Sequence, residues 1–331
     1  VVEVMGGVNP AYKFVMAALE AGKSVCTSNK ELVAAHGAEL LRIAREHSRN
    51  FLFEAAVGGG IPIIRPLNQH ITADRICEIQ GILNGTTNYI LTKMYNEGLG
   101  FDTVLKEAQD LGYAERNPAA DIEGFDACRK IAILASLAYG KTVNYEDVYT
   151  EGITKITDVD FKYADKMGRS IKLLGKCKNE EDGVVVSVSP RLISEEHPLF
   201  HVAGVTNGVL VKGNVVGDLV LIGSGAGKLP TASAVVSDVI DTVRHLNVST
   251  TILWSEEKLE VLDFAQSKKK FFVRVSTEDK AAIEKVFGAV EYIDAEIAGE
   301  TGFITSKISE VEFEKKAEEM GNVITRIRFE K

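Results

Sequence analysis

The chain has 331 residues, 45% of them apolar and 26% charged, a composition typical of a globular protein with two or three domains. This excludes a disordered or fibrous protein, and the net charge of −9, from 38 basic and 47 acidic residues, argues against nucleic acid or an anionic membrane as the main partner. No run of about 18 uncharged apolar residues occurs, and no segment resembles a signal peptide. We therefore expect a soluble cytoplasmic protein.

Cysteine and histidine spacing indicates no transition-metal site. The cysteines lie far apart in apolar stretches without a CxxC pair, and the six histidines form no HxH or HExxH pattern. We expect the thiols to be small core residues in a reducing compartment. The residues concerned are Cys26, Cys77, Cys128 and Cys177.

The first part of the chain alternates short apolar runs with helical patterns. Residues 1–5 predict a buried strand, and 25–27 and 51–54 predict two more strands. The segments between them predict helices, the second at 31–47. This alternation is typical of parallel βαβ units, so we predict part of a Rossmann-type, doubly wound sheet. Because the chain starts in a strand and without Met, we expect a natural N-terminal portion to be absent.

The middle of the chain predicts an α+β region, an open sheet covered by helices. Its last two strands form a hairpin that turns at Gly213 and Asn214. A later helix, at 232–245, is expected to return to the first sheet. The other predicted helices are 62–71, 86–96, 102–111 and 126–139. The predicted strands are 75–81, 171–177, 184–189, 208–212 and 215–222.

Residues 271–331 predict a third unit with the element order β-α-β-β-α-β, the ferredoxin-like arrangement. Its two inner strands, at 292–297 and 303–308, are expected to pair. The segment before this unit, 251–270, is predicted to be a linker.

Two glycine-containing loops each follow a predicted strand and open a helix. At 58–62, Gly-Gly-Gly-Ile-Pro either frees backbone carbonyls for a cation or cofactor, or forms only a tight turn. At 82–89, Ile-Leu-Asn-Gly-Thr-Thr-Asn-Tyr either offers amides and hydroxyls to a polar ligand, or caps the helix through Asn84 or Thr86. The later Gly-Ser-Gly-Ala-Gly at 223–227 lacks the full dinucleotide-binding spacing.

The segment 112–130 contains the highest density of groups that can carry chemistry. Asp126 and Lys130 are four residues apart, so both project from one face of a helix whose neighbouring residues are strongly apolar. A buried lysine beside carboxylates can donate or accept a proton, whereas the same spacing in water forms an ordinary salt bridge. Lys30 follows a predicted strand, at the carboxyl-end crevice where open α/β sheets bind ligands.

These blocks together resemble the homoserine dehydrogenase family. The two longest are Glu-Ala-Ala-Val-Gly-Gly-Gly-Ile-Pro-Ile-Ile at 54–64 and Gly-Ile-Leu-Asn-Gly-Thr-Thr-Asn-Tyr-Ile-Leu at 81–91. The others follow in the family's order at 124–130, 151–153, 197–199 and 225–235. The resemblance implies an NAD(P)-dependent oxidoreductase that interconverts L-homoserine and L-aspartate 4-semialdehyde in threonine, methionine and isoleucine biosynthesis.

The resemblance also implies roles for single residues. Lys130 would donate and accept the proton at the substrate oxygen, with Lys30 and Asp126 as the other catalytic residues. The implied substrate-binding residues are Glu115, Asp126, Asp121, Thr86 and Tyr113. The implied cofactor-binding residues are Lys30, Gly112 and Gly227.

The implied cofactor is NADP or NAD, and a structural sodium or potassium ion is expected as well. In the family, backbone carbonyls at the positions of Val57, Gly59 and Ile61 hold this ion near the position of Glu54. Relatives begin with a strand, a Gly-rich turn and a helix that bind the pyrophosphate. Because this sequence lacks that segment, we expect the chain as given to bind dinucleotide poorly and to be inactive, although its parent is an enzyme.

The last unit resembles an ACT regulatory domain, by topology alone. We therefore expect dimerisation through the tails, a homodimer or tetramer, and threonine as a candidate effector. The expected domains are the cofactor domain at 1–57, completed by 223–250, the substrate-binding and dimerisation domain at 58–222, and the tail at 271–331.

Two other functions stay open. Another amino-acid dehydrogenase of similar architecture would lack the Asn-Gly-Thr-Thr-Asn-Tyr block at 84–89. A non-catalytic, amino-acid-binding regulator would have no need of a proton-transfer lysine at position 130.

Overall fold

The structure is a computed structural model that describes residues 1–250 and 252–330. Its first unit is a short parallel sheet. Its strands, in the order β1-β2-β3, are β1 (Val2–Glu3), β2 (Val25–Thr27) and β3 (Phe51–Leu52). The helices between them are α1 (Ala11–Glu20) and α2 (Lys30–Glu46). Helix α2 begins where it does because the side chain of Asn29 accepts a hydrogen bond from Leu32 N at 3.1 Å, which caps the helix.

The prediction of a buried strand at 1–5 was wrong in length and burial. Of the five residues, only Val2 and Glu3 form a strand that pairs with β2, and the apolar side chains in this segment are about half exposed or more. Glu3 is the buried residue, and Thr27 Oγ1 donates to its carboxylate at 2.6 Å. The cause is that β1 is an edge strand of this sheet, whereas the apolar run suggested cover on both faces. The exposed residues are Val1, Val2, Val4 and Met5.

The middle unit contributes six strands to a ten-stranded sheet; five of them have the order β10-β9-β4-β7-β8, and β6 pairs with β8. These strands are β4 (Ile76–Ile82), β6 (Tyr149–Thr150), β7 (Arg169–Glu180), β8 (Gly183–Ser194), β9 (Thr206–Gly213) and β10 (Gly217–Ser224). The helices are α3 (Ala55–Gly58), α4 (Gly85–Glu97), α5 (Phe101–Asp110), α6 (Ala119–Ile122), α7 (Phe125–Tyr139), α8 (Asp158–Lys166) and α9 (Lys228–Arg244). A π-helical turn is at Pro66–His70.

The predicted hairpin between β9 and β10 is confirmed, but its second strand begins two residues later than expected. Asp74 causes the difference, because its Oδ1 accepts hydrogen bonds from Val215 N at 2.9 Å and Val216 N at 2.8 Å. These bonds hold both residues in the turn, so the antiparallel pairing resumes only at Gly217.

The tail completes the same sheet in the order β15-β12-β14-β13, so the predicted β-α-β-β-α-β order is confirmed. Strands β15 and β8 join the two parts in parallel, with Arg328 opposite Arg191 and Phe329 opposite Leu192. The tail elements are β12 (Phe271–Val275), α10 (Lys280–Phe287), β13 (Glu291–Ile293), β14 (Thr301–Ile304), α11 (Glu310–Met320) and β15 (Val323–Phe329). The fold class, α/β plus α+β, agrees with the prediction.

The segment predicted as a linker contains structure of its own. Strand β11 (Ser255–Lys258) pairs in parallel with β5 (Lys141–Thr142), and Phe264 is buried at the start of a 3-10 turn (Phe264–Gln266).

Over the described residues, no helix combines the length and apolarity needed to cross a membrane.

Candidate active site

Helix α7 positions the predicted aspartate and lysine on one buried face. Gly124 caps the helix with φ +87°, and Asp126 and Lys130 follow one turn apart, both buried. Lys130 Nζ lies 2.8 Å from Asp126 Oδ2 and donates to the carbonyl oxygen of Leu83 at 2.8 Å. Because these contacts are buried, the pair is not the solvated salt bridge that the spacing alone allowed.

Two further elements bring polar side chains to Asp126. Lys30, the first residue of α2, places Nζ 3.0 Å from Asp126 Oδ1. Asn84 caps α4 and donates from Nδ2 to Asp126 Oδ2 at 2.9 Å and to Asp121 Oδ1 at 2.7 Å. The cluster therefore joins α2, α4, α6 and α7, and its exposed member is the Lys30 side chain, with 38% of its surface accessible.

The charges in the cluster stabilise an ionised Asp126. Burial would raise the pKa of Asp126, but the ammonium groups of Lys130 and Lys30 outweigh it and hold the pKa far below its usual value. Burial likewise acts to lower the pKa of Lys30, and the carboxylate of Asp126 reverses this and raises it. Burial raises the pKa of Asp121, although the Asn84 amide opposes the shift.

The remaining predicted substrate residues lie at an exposed rim. Thr86 Oγ1 donates to the carbonyl oxygen of Tyr113 at 2.6 Å, and the ring of Tyr113 packs 4.9 Å from that of Tyr89. Glu115 is exposed, and the structure does not bring it into the cluster around Asp126. The structure thus brings four of the predicted charged residues together, namely Lys30, Asp121, Asp126 and Lys130. Thr86 and Tyr113 contact each other at the rim, and Glu115 lies apart from both groups.

Asn84 and the carbonyl of Leu83 are the site groups that sequence reasoning missed. Asn84 opens the Asn-Gly-Thr-Thr-Asn-Tyr block and Leu83 directly precedes it, and the sequence singled out Asn84 by number only as a helix cap. It performs that role, since its Oδ1 accepts from Thr87 N at 2.8 Å. Its amide nitrogen remains free to donate to two carboxylates, which a cap assignment does not reveal.

Two predicted cofactor residues adopt backbone conformations that suit close approach by a ligand. Gly227 caps α9 with φ +109°, and the unpaired N–H groups of a helix's first turn attract anions such as a dinucleotide phosphate. Gly112 has φ +75°, and a Cβ there would meet no heavy atom within 4 Å. Both glycines are exposed, so these residues fit a bound dinucleotide.

Glu54 and the loop that follows it form the predicted cation site. The buried Glu54 carboxylate accepts hydrogen bonds from Ile64 N at 2.7 Å and Arg65 N at 3.0 Å, and burial raises its pKa. Within residues 1–250 and 252–330, no group of three or more His, Cys, Asp or Glu side chains could hold a metal. A cation here would therefore depend on backbone carbonyls, which suit a hard ion. The other predicted ligands, all buried, are Val57, Gly59 and Ile61.

Comparison with known proteins gives consistent matches. A family model described as "Homoserine dehydrogenase" matches residues 62–240, more than half of the chain, and one described as "Homoserine dehydrogenase, NAD binding domain" matches residues 1–54. A homoserine dehydrogenase from Synechocystis is 51% identical over 247 residues, which are 73% of this chain and 57% of that relative. The chain thus spans little more than half of this relative's length.

Solved structures match the same fold. A homoserine dehydrogenase from Thiobacillus denitrificans superposes with a TM-score of 0.92 at 38% identity, covering 100% of this chain and 81% of the other. A hyperthermophilic archaeal homoserine dehydrogenase in complex with NADPH gives a TM-score of 0.66 at 32% identity, covering 76% and 73%. The chain therefore belongs to the homoserine dehydrogenase family, as its sequence blocks predicted.

Proposed function

We propose that this chain carries the substrate site of an NAD- or NADP-dependent oxidoreductase that interconverts L-homoserine and L-aspartate 4-semialdehyde. The observation that carries the proposal is the environment of the Lys130 amine. A protonated lysine has three N–H donors, and Asp126 and the Leu83 carbonyl take two of them. The third donor remains for a substrate oxygen.

The proposed chemistry moves one proton through Lys130. In the oxidation direction, the hydroxyl oxygen of homoserine gives its proton to the neutral Lys130 amine as the C=O bond forms. In the reverse direction, the ammonium form returns a proton to the aldehyde oxygen. A bound nicotinamide supplies or accepts the hydride. Asp126 stabilises the charged form of Lys130, and Lys30 stabilises developing negative charge near the same point.

The amino-acid part of the substrate needs groups of opposite charge. Its ammonium suits the carboxylates of Asp121 and Glu115, since Asp126 is already occupied by two lysines and Asn84. A substrate ammonium beside Asp121 would compensate the burial that raises the pKa of this carboxyl. Thr86 and Tyr113 would line the rim, as the family resemblance implies. The resemblance names Asp126 as a substrate-binding residue too, and in this proposal it acts on the substrate through the two lysines that it orients.

The proposal also covers the cofactor, the cation, the assembly and the effector that the family resemblance implies. Lys30, Gly112 and Gly227 would contact NADP or NAD. Sodium or potassium would bind at the loop after Glu54. The protein would form a homodimer or tetramer and would bind threonine as an effector at the tail. Its location would be the cytoplasm. The four free cysteines support a reducing compartment.

Substituting Lys130 by alanine tests the proposed function. We expect Lys130→Ala to lower kcat for homoserine oxidation by about 10²–10⁴-fold, the usual contribution of a general acid–base group, while the KM for homoserine changes less. The assay uses a protein of the relatives' full length that carries this chain. The matched control is Lys106→Ala, because Lys106 forms an exposed ion pair with Asp110 at the same four-residue spacing.

The result also separates the proposed enzyme from a non-catalytic regulator. A regulator that binds amino acids would show no homoserine-dependent reduction of NADP or NAD in the unsubstituted protein. Equal rates for the Lys130→Ala and Lys106→Ala proteins would show that the proton passes elsewhere.

A further inference from the structure

Two tail arginines converge on one carboxylate of the middle unit. Arg328, fully buried on β15, donates from Nη1 to Glu151 Oε2 at 2.7 Å, and Arg326 Nη1 reaches the same oxygen at 3.1 Å. The Tyr149 hydroxyl donates to this oxygen at 2.7 Å and accepts from Arg328 Nη2 at 2.8 Å. Burial acts to raise the pKa of Glu151, but the two guanidinium groups lower it to about 2. Glu151 is therefore ionised, and hydrogen bonds from Arg326, Arg328 and Tyr149 hold its carboxylate in place.

The backbone after Glu151 packs directly on the segment that leads into α7. A Cβ on Gly152 would lie 2.0 Å from the carbonyl oxygen of Ile122 and 2.5 Å from Cα of Glu123. Ile153 N donates to the same Ile122 oxygen at 2.8 Å. Because backbone lies against backbone, a shift of Glu151 has to displace this segment or break the hydrogen bond.

The segment in contact with Gly152 sets the position of the charged cluster. Asp121 lies just before it in α6, and Gly124 N donates to the carbonyl oxygen of Asp121 at 3.0 Å. Gly124 then caps α7, and Asp126 and Lys130 follow within that helix's first two turns. A displacement of the segment therefore reaches both carboxylates and the lysine.

We propose that Glu151 is a positioning residue, clamped by Arg326 and Arg328, through which the tail fixes the start of α7 and the amine of Lys130. This inference rests on the function proposed above. A residue that acts in this way touches no substrate, and its effect reaches the reaction through the geometry of Lys130.

A second tail arginine offers a matched comparison. Arg274 is buried like Arg328, and its Nη1 lies 2.7 Å from Oδ1 of Asp160, a fully buried carboxylate of the middle unit. Asp160 belongs to α8, which packs on β7 and α4. Glu151→Gln and Asp160→Asn thus each replace a carboxylate that faces a tail arginine by an amide of the same shape, at different places in the fold.

Hydrogen exchange on the 331-residue chain tests the clamp without any need for activity. We expect Glu151→Gln to speed exchange of the Ile153 amide and the first amides of α7 by about tenfold or more, since local opening governs their protection. Asp160→Asn leaves these amides at the original rate. If Glu151→Gln does not fold, Arg326→Gln removes one side of the clamp and gives the same comparison.

Kinetics then test whether the clamp positions the reacting group. In a protein of the relatives' full length, Glu151→Gln should lower kcat about tenfold, as a small misplacement does, while the KM for homoserine changes about twofold or less. Asp160→Asn should leave kcat unchanged. Equal exchange in the two variants, or normal kcat in Glu151→Gln, would overturn the proposal. If the unsubstituted protein fails to oxidise homoserine, the proposed function fails, and the exchange rates alone decide the clamp.

Discussion

Asp126 is the residue that organises the charged cluster. Its two oxygens face two lysines and the Asn84 amide, and one of those lysines is buried with it. A buried carboxylate offsets the cost of burying an ammonium group, and removal of one partner leaves the other charge without compensation. The stability of this part of the fold therefore depends on the Asp126 side chain.

Asp126→Asn should destabilise the protein in a pH-dependent way. At neutral pH we expect a loss of about 3 kcal/mol in the free energy of unfolding, because the variant leaves Lys130 buried without its counterion. The pKa of Asp126 is lower in the folded than in the unfolded chain, so its contribution is present above about pH 4 and is lost as the pH falls further. The difference between the two proteins should therefore shrink on acidification, as urea unfolding at several pH values will show.

The exposed pair Lys106 and Asp110 supplies the control for this measurement. Asp110→Asn removes a surface ion pair of the same spacing, which contributes about 0.5 kcal/mol or less at any pH. A constant gap between wild type and Asp126→Asn from pH 7 to pH 3 would contradict the assignment of an ionised, stabilising Asp126.

At this scale the sequence predicts the pair but not its surroundings. The four-residue spacing of Asp126 and Lys130 in an apolar helix is a local signal. It predicted the shared helix face correctly and left open whether the pair is buried. Lys30 and Asn84 reach the same point from α2 and α4. Their approach depends on how the helices pack, which no spacing along the chain encodes. The family resemblance included Lys30 and left Asn84 out.

Among the elements, the turn after α3 is held against the segment that leads into α9. Gly59 has φ +55°, and a Cβ there would lie 2.3 Å from the carbonyl oxygen of Gly225. Gly60 N donates to Ser224 O at 2.9 Å, which fixes the two segments together. The chain thus returns from the end of β10 to the loop that carries the predicted cation ligands.

Gly59→Ala should be markedly more destabilising than the same change at Gly98. Gly98 ends α4 with φ +64° and would meet no heavy atom within 4 Å, so alanine there costs only the left-handed backbone penalty of about 1–2 kcal/mol. Gly59→Ala carries the same penalty and a backbone clash, so we expect a loss of about 3 kcal/mol or more. Thermal or urea unfolding of both variants checks this, and equal losses would show that the two segments are not in close contact.

Elements with strong local signals were predicted well, whereas the edge strand β1 and the first residue of β10 were not. Helix α7 and the tail elements have clear periodicity and glycine ends, so their predicted positions agree with the structure to within a few residues. The strand at 1–5 failed because apolar residues alone do not distinguish a central strand from an edge. The start of β10 failed because Asp74, distant in sequence, holds the turn.

Across the whole molecule, the middle unit and the tail share one sheet through β8 and β15. Beside that junction, Glu330 is buried and lies 2.7 Å from Arg191 Nη1 and 2.5 Å from Lys176 Nζ. No sequence pattern predicts this junction, because a parallel pairing between segments far apart in the chain has no local signal. The two units are therefore expected to unfold together.

Glu330→Gln should lower the free energy of unfolding by about 3 kcal/mol, because it leaves the buried Arg191 without its carboxylate. Unfolding followed by tail and middle-unit probes should still give one coincident transition. The control is Glu180→Gln, which removes an exposed ion pair with Lys178 and should cost less than about 1 kcal/mol. A tail that unfolds at lower urea than the middle unit in the unsubstituted protein would contradict a shared cooperative sheet.

The most direct test of the substrate site is a crystal structure with L-homoserine bound, from a protein of the relatives' full length that carries this chain. We expect the substrate hydroxyl oxygen to lie about 2.6–3.2 Å from Lys130 Nζ, on the donor that Asp126 and Leu83 leave free. Homoserine bound at a different place, or held with its hydroxyl beyond the reach of Lys130 and of a single bridging water, would contradict the proposed proton transfer.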